Sequence, residues 1–203
     1  MAEQVVLPDG TAAWVWPLLP TDRRALVAEF EQLSPESVRS RFLGPVVHLS
    51  EAMLQTLVDD VDGIDHVALV LLAEVGDDVL PVAIGRIVRY PDQPDAADLA
   101  ITVKDAWQGR GVASALVPLL VAKRPAGVTR LVTEVAAGNP ASLAMLRRAG
   151  TVQSTSAAQD GTEVVVALEP GPEPEPLPVG RYTEWRRHLY TRDLVCPWLR
   201  EKP

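Results

Sequence analysis

The strongest alternation of apolar and polar positions runs through Ala97-Asp98-Leu99-Ala100-Ile101-Thr102-Val103, and a period of two is the signature of a strand. A glycine-punctuated turn follows, Gln108-Gly109-Arg110-Gly111, and then a long apolar stretch over 112–122 that reads as a helix. Upstream lie two further apolar runs, 66–74 and 79–90, parted by the hairpin signal Gly76-Asp77-Asp78. With a proline- and aspartate-rich turn over 90–95, the three strands form an antiparallel meander. Toward the N-terminus, Leu7-Pro8-Asp9-Gly10 is a turn before a strand over 11–18 that carries Trp14 and Trp16 on one face. Thr21-Asp22 caps a helix over 23–32, and Ser34-Pro35 starts a second with Val38 and Phe42 inward, ended by Gly44-Pro45. Ser50 opens a third, with Met53, Leu54, Leu57 and Val58 as its apolar stripe.

After the glycine helix, 129–135 reads as a strand. A strand–helix–strand order makes a crossover, so this strand runs parallel to the Asp98 strand. Asn139-Pro140-Ala141-Ser142 caps a short amphipathic helix that stops at Gly150, the C′ position. The stretches 151–157 and 162–168 close the body as a hairpin around Gln159-Asp160-Gly161. Pro118 conflicts with its helix, because an interior proline costs about 3 kcal/mol, and it predicts a bend or a shorter helix.

Three segments follow from this pattern. Residues 1–168 form the body. Residues 169–180 alternate proline with glutamate and read as an extended linker of polyproline type. Residues 181–203 form an arm rich in aromatic and basic side chains, with Tyr182, Trp185, Tyr190 and Trp198. So apolar an arm is expected to dock on the body or on a partner subunit of a homodimer.

Composition narrows the function classes. The chain has 203 residues, 47% apolar and 23% charged, as in a soluble globular protein with one sizeable core. No apolar run has the length of a membrane span, and residues 1–9 lack the pattern of a secretory signal. A single cysteine, Cys196, rules out an internal disulfide and favours a reducing cytoplasm. The histidines, His48, His66 and His188, lie far apart without metal-ligand spacing, and Asp59-Asp60-Val61-Asp62-Gly63 lacks the spacing and closing glutamate of a calcium loop. No metal site is expected. A net charge of −8 argues against nucleic acid as partner.

The chemistry concentrates at the strand-to-helix junction. Gly109 and Gly111 let a ligand approach the backbone, and the free N–H groups of a first helical turn form an anion site. A dinucleotide fingerprint, Gly109-x-Gly111-x-x-Ser114 with Glu134 on the next strand, is the first competitor. Ser114 in the third glycine position and the four residues 105–108 after the strand count against it. A P-loop is excluded, because no Gly-Lys-Ser/Thr occurs.

The pattern Gln108-x-x-Gly111-x-Ala113, followed one strand later by Asn139-Pro-Ala-Ser142-Leu-Ala-Met-Leu146-Arg147-Arg148-Ala-Gly150, resembles the GNAT superfamily of acyl-CoA-dependent N-acetyltransferases. The order of elements fits over 11–168. Leu33-Ser34-Pro35-Glu36-Ser37, Arg41-Phe42, Leu49-Ser50, Val61-Asp62, Val67-Ala68-Leu69-Val70 and Ala97-Asp98-Leu99-Ala100 look like the catalytic domains of bacterial protein-lysine acetyltransferases. The resemblance implies an α/β fold, a mixed and mostly antiparallel sheet of about seven strands flanked by helices with a splayed central parallel pair. It implies acetyl-CoA as co-substrate, with its pyrophosphate held by the amides of Gln108, Gly109, Arg110, Gly111, Val112 and Ala113 and by the charge of Arg110. It places the pantetheine and the thioester carbonyl along Ile101, Thr102 and Val103, and gives Asn139 and Ser142 contacts from the far side. Asp98 stands where the subgroup usually has a glutamate general base, one methylene shorter. Two departures are visible: no tyrosine occurs in the helix after Asn139, where Met145 and Leu146 stand, and Thr151 replaces an aromatic residue after Gly150.

The expected activity is acetyl transfer to an amine by direct attack, the acceptor being a protein lysine rather than a small amine. A non-catalytic acyl-CoA sensor, with Asp98 idle and the arm as interaction element, is the competing reading.

Overall fold

The computed structural model describes residues 3–174 together with Leu177. Its strands are β1 (Glu3–Val6), β2 (Ala12–Pro17), β3 (His66–Val75), β4 (Asp78–Tyr90), β5 (Gln93–Val103), β6 (Arg130–Ala136), β7 (Thr151–Ala157) and β8 (Gly161–Ala167). Its helices are α1 (Arg23–Phe30), α2 (Pro35–Phe42), α3 (Glu51–Leu54), α4 (Val112–Ala122) and α5 (Pro140–Ala149). One eight-stranded sheet runs in the order β1-β2-β3-β4-β5-β6-β8-β7. The expected meander and the parallel β5–β6 pair are both present, and every other neighbour is antiparallel.

The sheet has one strand more than expected. Glu3-Gln4-Val5-Val6 is short and carries only two apolar residues, but it pairs with β2 from Glu3↔Val15 to Val6↔Ala12. The turn between β4 and β5 is also tighter than its prolines suggest, since β5 begins at Gln93. Pro118 leaves α4 continuous from Val112 to Ala122. Leu116, Val117 and Leu120 on the same helix are fully buried, each contributing roughly 1.5–3 kcal/mol of burial energy, which outweighs the proline.

Side-chain parity sorts the sheet into two faces. Leu69, Leu71, Ile87 and Leu99 point to the face covered by α4 and α5, in one core with Leu116, Leu120, Leu131 and Leu146. Gly85 lets α4 come close, because a Cβ there would stand 2.3 Å from a Leu120 methyl. Ala68, Val70 and Leu72 point the other way, into a second core with Leu18, Leu19, Val58 and Val61 under the N-terminal helices. Arg86 of β4 lies opposite Ala100 of β5, and Val88 opposite Asp98, on this second face.

Gly150 ends α5 as expected but for another reason. Its φ of 172° is extended rather than left-handed, and a Cβ there would meet the Ala167 carbonyl oxygen at 2.1 Å. The residue is needed for close approach to β8. The apolar stripe after Ser50 is split, α3 passing into a π-helical turn at Gln55–Asp59.

The described part of the proline-rich segment lies on the body. Leu177 is buried and donates its amide to the Gly63 carbonyl (2.8 Å), and a Glu173 carboxylate oxygen accepts from the Gly127 amide (2.9 Å). The arm over 181–203, with its expected docking, lies outside the described residues. No helix among the described residues is long and apolar enough to cross a membrane.

Candidate active site

The parallel ladder between β5 and β6 is confined to Ala96↔Arg130 and Ala97↔Leu131. Beyond it the two strands part, and side chains bridge the gap. Tyr90 donates its hydroxyl to the Val132 carbonyl (2.9 Å), which braces β6 from β4. Burial first, then the nearby carboxylates led by Asp98, push the Tyr90 phenol up, so it stays protonated as this donor. The Thr133 hydroxyl lies 2.7 Å from Asp98 Oδ1 and 3.0 Å from the Leu99 carbonyl.

These contacts give the direction of the β5 backbone. The Leu99 carbonyl faces the gap, so by alternation the main-chain groups of Ile101 and Val103 face it too. Those of Thr102 turn toward β4, where Thr102 pairs with Ile84. The Val103 carbonyl is already engaged by the Gln108 side-chain amide (3.2 Å). Of the three residues expected along the pantetheine, Ile101 and Val103 therefore present their N–H groups to the gap. The Thr102 side chain lines a cavity on the sheet face that also carries Asp98.

The turn after β5 is built by its glycines. Gly109 (φ +73°) and Gly111 (φ +81°) are both left-handed, a conformation that costs other residues roughly 1–2 kcal/mol. A Cβ on Gly109 would meet nothing within 4 Å, so this backbone is open. A Cβ on Gly111 would stand 2.6 Å from Pro8 Cγ, so the lack of a side chain at Gly111 also lets the β1–β2 turn pack against this loop. The Gln108 amide closes onto the Asp105 carbonyl (3.2 Å). Val112 and Ala113 open α4, where first-turn amides have no intrahelical acceptor.

Arg110 is held through its guanidinium by the β1–β2 turn. Its Nη2 and Nε stand 2.6 and 2.9 Å from one Asp9 carboxylate oxygen, and its guanidinium stacks 3.9 Å above the Trp107 ring. Bonds from Thr11 and Arg110 hold the Asp9 carboxyl at about 2, so its charge balances Arg110 at any physiological pH. A different cation reaches the helix start: Arg148 of α5 donates to the Ser114 hydroxyl on the first turn of α4. The basic end of α5 was readable in the sequence, but its proximity to α4 was not.

Asp105 ties this turn to α2. It accepts from the Ser34 amide (3.0 Å), the Ser34 hydroxyl (2.6 Å) and the Ser37 hydroxyl (2.8 Å), and these bonds lower its pKa. Gln108 adds a bond to the Ser37 hydroxyl (2.9 Å). Ser34 also caps α2 through the Ser37 amide.

Residues 36–151 match the sequence profile of the Acetyltransferase (GNAT) family. The chain belongs to that family. It is 32% identical over 145 residues to the acetyltransferase Pat of Mycolicibacterium smegmatis, covering 70% of this chain and 42% of that one. It is 30% identical over 115 residues to the acetyltransferase PA5475 of Pseudomonas aeruginosa, covering 57% and 61%. The chain thus spans less than two thirds of either curated relative. The crystal structure of the GNAT domain of S. lividans PAT superposes with a TM-score of 0.70 at 31% identity, over 82% of this chain and 97% of that one.

In this GNAT chain Asn139 is the N-cap of α5, its side-chain oxygen accepting from the Ser142 amide (3.0 Å). Both residues thus have a local structural role at the end of β6. Asp98, half-buried on the face under α2, has Thr133 beside it and the charges of Arg41 and Arg86 near it. Arg41, Arg86, Thr133 and Tyr90 went unremarked as site residues in the sequence. Their role depends on strand register and on the gap, which no local motif encodes.

Proposed function

We propose that this GNAT protein transfers an acetyl group from acetyl-CoA to an amine, by direct attack of the amine nitrogen on the thioester. The observation that carries the reading is the free edge of β5, followed after the short turn at Asp105–Trp107 by an open left-handed glycine two residues before the N-cap of α4. A row of unpaired main-chain donors ending in an anion site suits a ligand that is amide-like along its length and phosphorylated at one end. The residues therefore fit acetyl-CoA: Ile101 and Val103 for the pantetheine, the amides from Gly109 to Ala113 for the pyrophosphate, and Arg148 as the added charge. When bound, the co-substrate supplies the activated acyl group.

The chain's own groups do the rest. An amine such as lysine has a pKa near 10.4, so neutralising it at pH 7 costs about 4.6 kcal/mol. Asp98 takes that proton, directly or through a water, while Thr133 holds its carboxylate in place. A main-chain N–H of Ile101 or Val103 polarises the thioester carbonyl, a role in which one lost donor costs roughly 2.7–4 kcal/mol. The acceptor proposed from the sequence resemblance is a lysine side chain of a protein.

Release of CoA from acetyl-CoA, followed over a panel of lysine peptides and small amines, tests the reading. Acceptor-dependent release supports it. Tight acetyl-CoA binding without release on any amine would replace it with the sensor reading.

A further inference from the structure

Beneath α1, α2 and the turn after α3 lies a cavity of about 90 Å³ whose walls are mostly apolar, among them Leu26, Phe30, Phe42 and Leu57. Five charged side chains also line it: Asp22, Glu29, Arg41, Arg86 and Lys104. Three of these are engaged with their own structure. Asp22 accepts from the Leu19 amide (2.9 Å), and Glu29 pairs with Lys104. The two arginines are different.

Arg86 is only 5% exposed, yet no carboxylate among the described residues lies within ion-pairing distance of it or of Arg41. Arg86 Nη1 donates to the Leu57 carbonyl (3.0 Å) and faces His66 Nε2 (3.3 Å), while its Nε and Nη2 make no bond among the described residues. Among the described residues Arg41 makes only a stacking contact, 5.0 Å from the Phe42 ring centroid. His66 adds no charge, since burial and the neighbouring Arg86 push it down to about 4. Burial and mutual repulsion bring the Arg86 guanidinium down to about 9, and burial lowers Arg41 as well. The carboxylate whose charge acts on both arginines is Asp98, already hydrogen-bonded by Thr133. Two guanidinium groups with open donors, facing one apolar cavity, are what a buried carboxylate needs: paired charge and several N–H bonds in a low dielectric.

The position of the cavity links it to the reaction. Arg86 pairs with Ala100 and Val88 with Asp98, so Arg86 and Asp98 are diagonal neighbours on one sheet face. Such neighbours stand on the order of 7–8 Å apart. An acceptor with its nitrogen at Asp98 therefore reaches the arginines with a group several bonds away.

Resting on the acetyl-transfer reading, we propose that this cavity is a subsite for an anionic group of the acceptor. The acetylated amine carries a carboxylate separated from its nitrogen by a chain of several methylenes. Free lysine, through its own α-carboxylate, and a peptide lysine beside an acidic residue offer the same chemistry.

Two matched pairs test the proposal in CoA release by the full chain. One is free lysine against 1,5-diaminopentane, the same amine without the carboxylate. The other is a lysine peptide with a neighbouring glutamate against the same peptide with glutamine. A KM at least tenfold lower for the carboxylate-bearing member of either pair is expected, and which pair shows it identifies the source. R41M should bring that pair within twofold, and R41K should retain part of the difference. Arg41→Met relieves repulsion between like charges, so the variant is expected to unfold no earlier than the wild type. Equal KM values within both pairs in the wild type would overturn the proposal. If no amine is turned over, acetyl transfer itself has failed, and calorimetric titration of 6-aminohexanoate decides the subsite. Binding weakened at least tenfold by R41M sustains it, and no binding, or equal binding, overturns it.

Discussion

The Thr133 hydroxyl stands 2.7 Å from Asp98 Oδ1, spanning β6 to β5 at the point where the two parallel strands have separated. The contact fixes the one carboxylate proposed as proton acceptor. Thr133→Val keeps the shape and removes the donor. A bond to a charged group is worth roughly 1.5–3 kcal/mol, so kcat for acetyl transfer is expected to fall at least tenfold. Thr133→Ser should keep most of the rate. Steady-state kinetics of CoA release checks both, with KM for acetyl-CoA unchanged within twofold.

The two glycines of the turn should separate by experiment. Gly109→Ala and Gly111→Ala each force a left-handed backbone, for roughly 1–2 kcal/mol. Only at Gly111 does the new methyl also meet Pro8, at 2.6 Å. Gly111→Ala is thus expected to lose more stability in urea unfolding, by a further 1–3 kcal/mol or so. Gly109→Ala is expected to act mainly on acetyl-CoA binding, which calorimetry measures.

That contrast also shows what the chain disclosed before its structure. The glycine turn, the strand before it and the Asn139 cap were legible, because each is a local pattern with a local physical cause. The contacts of Gly111 and Arg110 were not, because both are made with the β1–β2 turn, 101 residues before Arg110 at Asp9. Strand β1 was missed because Val5 and Val6 are its only apolar residues, and its stability comes from pairing with β2. Arg86 reads in the sequence as an ordinary polar position in an apolar strand. Only the register that places it diagonally from Asp98, beneath α1 and α2, marks it as a candidate for the acceptor subsite proposed above.

Asp105 holds α2 to the turn through Ser34 and Ser37. Asp105→Ala is expected to destabilise the protein by about 1 kcal/mol, the net worth of such bonds at an exposed site. Loosening the turn by a similar amount weakens acetyl-CoA binding about fivefold. Because these bonds lower the carboxyl's pKa, their stabilisation is present above the unfolded carboxylate value and lost as pH falls below it. Thermal unfolding with and without acetyl-CoA separates the two effects.

His66 supplies a second pH dependence. Its folded pKa of about 4 lies below the ordinary 6.5, so between those values the unfolded chain binds more protons. Stability is therefore lost as pH falls from about 6.5 toward 4. His66→Gln, which cannot protonate, should flatten this part of the stability curve. Urea unfolding of both proteins across that range gives the difference directly.

The central claim is that Asp98 removes the proton from an amine that attacks acetyl-CoA bound along β5. It is tested most directly by the rate of CoA release in Asp98→Asn, measured with the best acceptor and compared with the wild type. A general base contributes roughly 10²–10⁴-fold. The variant is expected to lose at least 100-fold in kcat while binding acetyl-CoA within twofold of the wild type. Full activity in Asp98→Asn would contradict the account and take Asp98 out of the mechanism.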